Sequence, residues 1–306
     1  MAYGQLVEGR VTPASQAFVK AKGYVALTKP RIIELLLVTT LPTMVVAQRG
    51  MPPVSLMVWT LVGGSLAAGG ANAINMVVDR DIDAVMQRTR NRPLVTGVVT
   101  PRAALTFAIG LEGAAFAVLS WKVNLLSAVL ACSATLFYVF VYTLWLKRST
   151  PKNIVIGGAA GAVPVLVGWA AVTGSLGWAP VVLFGIIVFW TPPHTWALAV
   201  KYRDDYSAAH VPMLPSVASL HATSVQIVAY TLVLCAITLA FGPVAGMGLL
   251  YFVAAAVLGA VFAWFALQLL RDPTPSRAMR LFTWSISYIS LLFGAMALDQ
   301  LLRSGF

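Results

Sequence analysis

The chain has 306 residues, 59% of them hydrophobic and only 10% charged, with mean hydropathy +0.84 and net charge +11. A soluble domain carries about 25% charged residues, so a water-solvated globule is excluded. The basic residues lie in short loops between apolar runs, which fits membrane topology and argues against a nucleic-acid partner.

Residues 1–25 read as a polar tail without a cleavable signal pattern, followed by one transmembrane domain over 26–306. Apolar runs at 31–49, 54–74, 103–121, 124–146, 154–173, 178–200, 222–242, 247–269 and 281–301 predict nine helices. Lipid offers the backbone no hydrogen-bond partners, and runs of about 20 residues satisfy it only as helices. The fold class is therefore all-α, a polytopic membrane bundle. Of the 21 Lys and Arg residues, all but Arg49, Lys122 and Arg303 fall on the side of the N-terminus. The positive-inside rule then puts the N-terminus in the cytoplasm and the C-terminus outside, in the cell (inner) membrane. Acidic clusters follow the second and sixth helices, suggesting two pseudo-repeated four-helix halves with a ninth helix appended. Cys132 and Cys235 lie in apolar runs without metal-ligand spacing and read as buried fillers.

The stretch Asn72–Arg92 carries the chemistry. Asn75, Asp79 and Asp83 are four apart, and four residues turn a helix by about 400°, so the three stay within roughly 80° on one face. Asp81 points away. Arg88, Arg90 and Arg92 follow, ending at Pro93. An oxygen-rich face before a guanidinium cluster suits Mg²⁺ that is itself holding phosphate, with Arg88 and Arg92 clamping the remaining oxygens. The bland alternative is a polar cap that keeps a membrane helix in register.

The second cluster is Lys201-Tyr-Arg203-Asp204-Asp205-Tyr206. If the halves face each other, Asp204 or Asp205 brings a second carboxylate site opposite Asp79 and Asp83. Two metals could then hold a diphosphate while an allylic C–O bond ionises; the alternative is a solvated loop with internal ion pairs. Lys147, Arg148 and Lys152 are either topology anchors or contacts for phosphate or a carboxylated substrate, and Lys29-Pro-Arg31 has the same two readings. His194, after Pro192 and Pro193 within an apolar run, is either a packed, hydrogen-bonded ring or a functional one. Glu112, within the third helix, has no evident role.

The spacing Asn75-x3-Asp79-x3-Asp83 on a multi-helix membrane scaffold resembles the UbiA superfamily of intramembrane prenyltransferases. Within it, several strings are similar to the protohaem IX farnesyltransferases (haem o synthases). These are Lys29-Pro-Arg31, Arg88-Thr-x2-Arg92-Pro-Leu, Thr150-Pro-x-Asn153, Trp190-Thr-Pro-Pro-His194 and Asp205-Tyr-x5-Pro212-Met-Leu-Pro215. All but about the first 25 residues lie within the match. The resemblance implies that haem b, farnesyl diphosphate and water give haem o and diphosphate. Asn75, Asp79 and Asp83 would then hold Mg²⁺, with Asp204 and Asp205 as further ligands. Asn72, Arg88, Arg92, Lys201 and Arg203 would serve the diphosphate, and His194, Lys147 and Arg148 the haem. Haem A synthase or a terminal oxidase is an expected neighbour in the bilayer. Two departures stand out: Lys201 takes the place of an Asp four before Asp205, putting the second metal in question, and His210 stands where Gly is expected. A UbiA-type enzyme acting on a quinone precursor or chlorophyllide stays open, as does an ion-coupled transporter.

Overall fold

The structure, a computed structural model, describes residues 13–304; residues 1–12 of the polar tail and 305–306 lie outside it. Thirteen helices follow in chain order, with no strand among the described residues. They are α1 Pro13–Leu27, α2 Pro30–Gln48, α3 Val54–Val78, α4 Arg80–Val85, α5 Pro101–Lys122 and α6 Leu125–Ser149. The chain continues through α7 Asn153–Thr173, α8 Trp178–Lys201, α9 Arg203–Ala208, α10 Leu214–Val217, α11 Leu220–Ala245, α12 Leu249–Arg271 and α13 Pro275–Ser304. Eight of the described helices are long and apolar enough to cross a membrane: α3, α5 to α8 and α11 to α13. The first expected span coincides with α2, which is not among those eight. The expected tail carries a helix, α1, anchored by buried Leu27 and by Tyr24 stacked edge-on against Phe107 at 5.0 Å.

Neighbouring long helices pack in a ring that α13 closes against α2. Short helices α4 and α9, six residues each, follow α3 and α8. These are the two positions from which the repeated halves are read, and both helices stand at the same polar end.

The two sides of the ring differ because their sequences differ in size. Around α8, α11, α12 and α13 the core is filled by large side chains such as Leu183, Ile186, Phe241, Tyr251, Phe262 and Tyr288. On the other side α3 carries Gly63, Gly64, Ala67, Ala68, Gly69, Gly70 and Ala71. At Gly63 a Cβ would meet Leu119 at 2.5 Å, and at Gly70 it would meet the Ala108 carbonyl at 3.0 Å. Small residues thus let α3 and α5 close to backbone distance, as membrane interfaces favour. On the inner face of α3 the same smallness leaves a cavity.

Helix α6 departs from regular geometry. Residues Phe137–Leu146 form a π-helix, a rarity that recurs at functional sites. Thr143 Oγ donates to the Tyr138 carbonyl five residues back at 2.8 Å. The cysteine expectation fails for Cys132, which is exposed; Cys235 is half-buried, and both are free thiols. In an apolar solvent an exposed apolar side chain costs nothing, so a lipid-facing position suits Cys132 as well as the core does.

Candidate active site

The site is built where α3 ends. Asp79 closes α3, and the chain resumes as α4 one residue later, so Asn75, Asp79 and Asp83 continue nearly one helical face. All three are buried, with Asp79 fully inaccessible, while Asp81 turns outward with 65% of its side chain exposed.

Buried carboxylates need partners, and each has one from beyond its own helix. Arg92 Nη1 meets Asp83 Oδ2 at 2.6 Å. Lys147 Nζ closes on Asp79 Oδ2, which also accepts from Asn75 Nδ2 at 2.7 Å. Arg148 grips Asp81 with two hydrogen bonds of 2.7 Å and reaches to 3.9 Å from Asp79 Oδ1. This guanidinium holds the Asp81 carboxyl down at about 2. The π-helix puts these groups in register: Thr143 receives Asn75 Nδ2 at 3.1 Å, and Lys147 follows one turn later.

Lys29 completes the cluster. It has a left-handed backbone (φ 51°) immediately before Pro30, a conformation that costs on the order of 1–3 kcal/mol for a residue with a Cβ. That turn lets Nζ donate to Asn75 Oδ1 at 2.8 Å. Buried among Arg92 and Lys147, the ammonium is pushed down to about 7, chiefly by loss of water and then by those cations. Arg92 and Lys147 balance the two carboxylates, and an anion brought to the site would favour the charged form of Lys29 as well.

Asp79 Oδ1 is buried and accepts no hydrogen bond. This is the coordination a hard cation needs from protein if the rest of its shell comes from phosphate and water. Among the described residues no three His, Cys, Asp or Glu side chains converge to hold an ion by themselves, which fits a cation completed by its substrate. At the inner edge of the site Asn72 and Tyr138 open into an apolar cavity of about 180 Å³. Small residues of α3, α6 and α7, including Ala67, Ala68, Ala71, Ala131, Ala134 and Gly161, line it. Tyr138 stacks on Tyr142, centroids 5.4 Å apart.

The second cluster touches the first through the loop after α4. Arg88 N donates to Asp205 Oδ2 at 3.2 Å, and the Arg88 guanidinium lies 5.4 Å from the Tyr202 ring. Lys201, Arg203 and Asp204 are exposed. Asn72 Nδ2 is held by the Thr28 carbonyl at 3.1 Å. His210 has a left-handed backbone (φ 52°), the physical reason a glycine is expected there.

His194 stands in the other half of the ring, between Trp190 and Phe282 (centroids 4.2 and 4.6 Å). Its Nδ1 is 2.7 Å from Ser285 Oγ, whose own hydrogen goes to the Phe282 carbonyl at 2.6 Å. Nδ1 must therefore carry the proton, and Nε2 keeps a lone pair. Lys147 and Arg148, which the sequence pairs with His194 as haem contacts, stand instead against Asp79 and Asp81. Thr143 and Tyr138 join this cluster without having been singled out in the sequence, and Lys29, read there as a topology anchor or a phosphate contact, joins it too. The signal for Lys29 was its place before Pro30; the Arg31 side chain lies outside the described residues.

Comparison with known proteins gives this geometry a family. The model of the UbiA prenyltransferase family matches residues 36–292. The chain belongs to the UbiA prenyltransferase family. Among the most similar relatives of this UbiA chain is the protoheme IX farnesyltransferase of Frankia casuarinae. It is 54% identical over 291 residues, which cover 92% of this chain and 99% of the relative. The protein of that name from Streptomyces coelicolor is 49% identical over 299 residues, 95% of each chain. Of solved structures, digeranylgeranylglyceryl phosphate synthase superposes with TM-score 0.76 at 16% identity, covering 92% of this chain and 99% of that one. A UbiA homolog from Archaeoglobus fulgidus bound to GPP and Mg²⁺ gives 0.62 at 16% identity, over 90% of this chain and 99% of its own. These likenesses establish the fold.

Proposed function

We propose that this UbiA-family enzyme transfers the farnesyl group of farnesyl diphosphate to a vinyl group of haem b, with addition of water, giving haem o and diphosphate. The observation that carries the prenyl-transfer part is the junction between the buried Asn75–Asp79–Asp83 face, ringed by cations, and the apolar cavity opening at Asn72 and Tyr138. A diphosphate needs the first and an isoprenoid chain the second. The haem assignment is supported by relatives about half identical over nearly the whole chain and by the free Nε2 of His194.

Asn75, Asp79 and Asp83 would hold Mg²⁺, whose charge when bound neutralises the leaving diphosphate. Lys29, Arg92 and Lys147 receive its outer oxygens, and Arg88 joins them from the loop that Asp205 holds. Lys147 and Arg148 keep the aspartates oriented before substrate arrives, a role the geometry favours over binding haem propionates. Tyr138, at the junction, turns its ring toward an allylic cation, a contact worth about 0.5–2 kcal/mol. The apolar wall keeps stray water from that cation. His194, its Nδ1–H fixed by Ser285, presents Nε2 to haem, as second-shell bonding does for iron-binding imidazoles. We place the diphosphate site at the cytoplasmic mouth, so that a charged headgroup enters from water while its chain stays in lipid.

Membranes containing the protein, given haem b and farnesyl diphosphate, should form a pigment of haem o mass only with Mg²⁺ present. A prenylated quinone precursor formed in preference, or no Mg²⁺ dependence, would reject the reading.

A further inference from the structure

The reading above leaves Glu112 unused. A carboxyl group midway along a membrane helix is costly and marks function more often than packing. Its position is specific. Oε1 crosses the face of α3 at Gly70, where a Cβ would lie 2.6 Å away, and accepts a hydrogen bond from Thr135 Oγ at 3.1 Å. Thr135 belongs to the wall of the apolar cavity, together with Ala71, Asn72 and Tyr138. On α6 it precedes Tyr138 by three residues, about one helical turn. The pair therefore meets the cavity near its diphosphate end. The Thr135 hydroxyl has one hydrogen and spends it on Glu112, so what remains toward the cavity is an oxygen lone pair.

We propose that Thr135 and Glu112 take up the proton of the water that is added during farnesyl transfer, an inference that rests on the haem reading above. The terminal vinyl carbon bonds to C1 of the farnesyl group as the C–O bond breaks, and that electron pair leaves with diphosphate. The positive charge moves to the adjoining carbon next to the porphyrin. Water oxygen bonds there and its proton passes to Thr135 Oγ. The Thr135 proton passes in turn to the Glu112 carboxylate. Atoms and charge balance: haem o, diphosphate, and one proton held on Glu112. Thr135 is the catalytic residue, because it touches the water; Glu112 acts through it.

Interhelical hydrogen bonds also hold membrane helices together, and the test must separate that role from proton uptake. The readout is the ratio of hydrated to unhydrated farnesylated pigment, by mass, from purified protein given haem b, farnesyl diphosphate and Mg²⁺. Because it is a ratio of products, it does not depend on how much protein is folded. When Thr135 and Glu112 cannot take the proton of the water, the cation instead gives a neighbouring C–H proton to the departed diphosphate, leaving a pigment lighter by one water. Thr135→Val and Glu112→Gln should shift the ratio toward that pigment and lower haem o formation by about 10²-fold, while Thr135→Ser keeps the wild-type ratio. An unchanged ratio in both Thr135→Val and the near-isosteric Glu112→Gln overturns the relay. Wild-type protein that makes neither pigment instead overturns the haem reading.

Discussion

Lys147 pairs with Asp79 Oδ2, and a metal taken up at the open Oδ1 of the same carboxylate works against the charge of that ammonium. Consider Lys147→Met. The pair is buried on both sides, with side-chain exposures of 16% and 0%, and removing one partner of such a pair costs about 3–5 kcal/mol. The low end applies, because Asn75 still donates to Asp79 at 2.7 Å and Arg148 stands 3.9 Å away. A loss of about 3 kcal/mol lowers Tm by roughly 6 °C. Mg²⁺ should offset it: at a hundred times its Kd a ligand that binds only the folded state returns about 2.7 kcal/mol. In the variant the ion meets Asp79 without a neighbouring ammonium, whereas in the wild type part of that gain is offset by repulsion from Lys147. Thermal unfolding in detergent, in EDTA and across a Mg²⁺ titration, measures both. The expected result is a large Tm deficit in EDTA that nearly closes with Mg²⁺. A deficit of the same size under both conditions would refute the claim that cation and metal share Asp79.

Asp79→Asn and Asp83→Asn should each reduce farnesyl transfer by at least about 10²-fold, read as haem o formed per folded protein. The amides are better probes than alanine, since Asp79→Ala would strand the Lys147 ammonium and confound loss of fold with loss of chemistry. His194→Ala should weaken haem binding more than farnesyl diphosphate binding in spectral and radioligand titrations, and equal losses would remove His194 from the haem site. Gly157→Ala drives a methyl to within 2.2 Å of Tyr142; overpacking of this kind costs about 1–3 kcal/mol, and displacement of the Tyr142–Tyr138 stack should slow transfer beyond the Tm effect. A reporter fused after Phe306 should be active only outside the cell, and cytoplasmic activity would reverse the orientation read from the basic loops.

The helices were legible because lipid leaves the backbone no other choice, and Asn75-x3-Asp79-x3-Asp83 was legible because α3 and α4 keep nearly one helical phase through Asp79. What spacing left open shares one cause, irregular backbone. Lys29 enters the site through a left-handed residue before a proline, a conformation that local sequence disfavours and that only the assembled site maintains. Thr143, Lys147 and Arg148 reach the aspartates through ten residues of π-helix. Lys147 and Arg148, read in the sequence as topology anchors or as contacts for phosphate or a carboxylated substrate, stand against the aspartates after that change of pitch. The cavity was missed for a different reason: the small residues of α3 read as a packing face, and nothing in their order says which of them meet a neighbour and which face empty space.

His194 marks the limit from the other side. The string Trp190-Thr-Pro-Pro-His194 suggested a functional ring but left packing equally open, and burial between Trp190 and Phe282 would by itself favour packing. The atom that suits the ring to a ligand role belongs to Ser285, ninety-one residues away in sequence. Because that hydroxyl gives its hydrogen to the Phe282 carbonyl, it can only accept from His194, and the imidazole is fixed as the Nδ1–H tautomer. A packing histidine needs one satisfied nitrogen and is indifferent to which; a ligand needs its outward nitrogen unprotonated. Ser285→Ala frees the ring to reverse its tautomer while removing only one oxygen. It should therefore weaken haem binding and leave farnesyl diphosphate binding unchanged, whereas a ring that merely packs would lose stability alone.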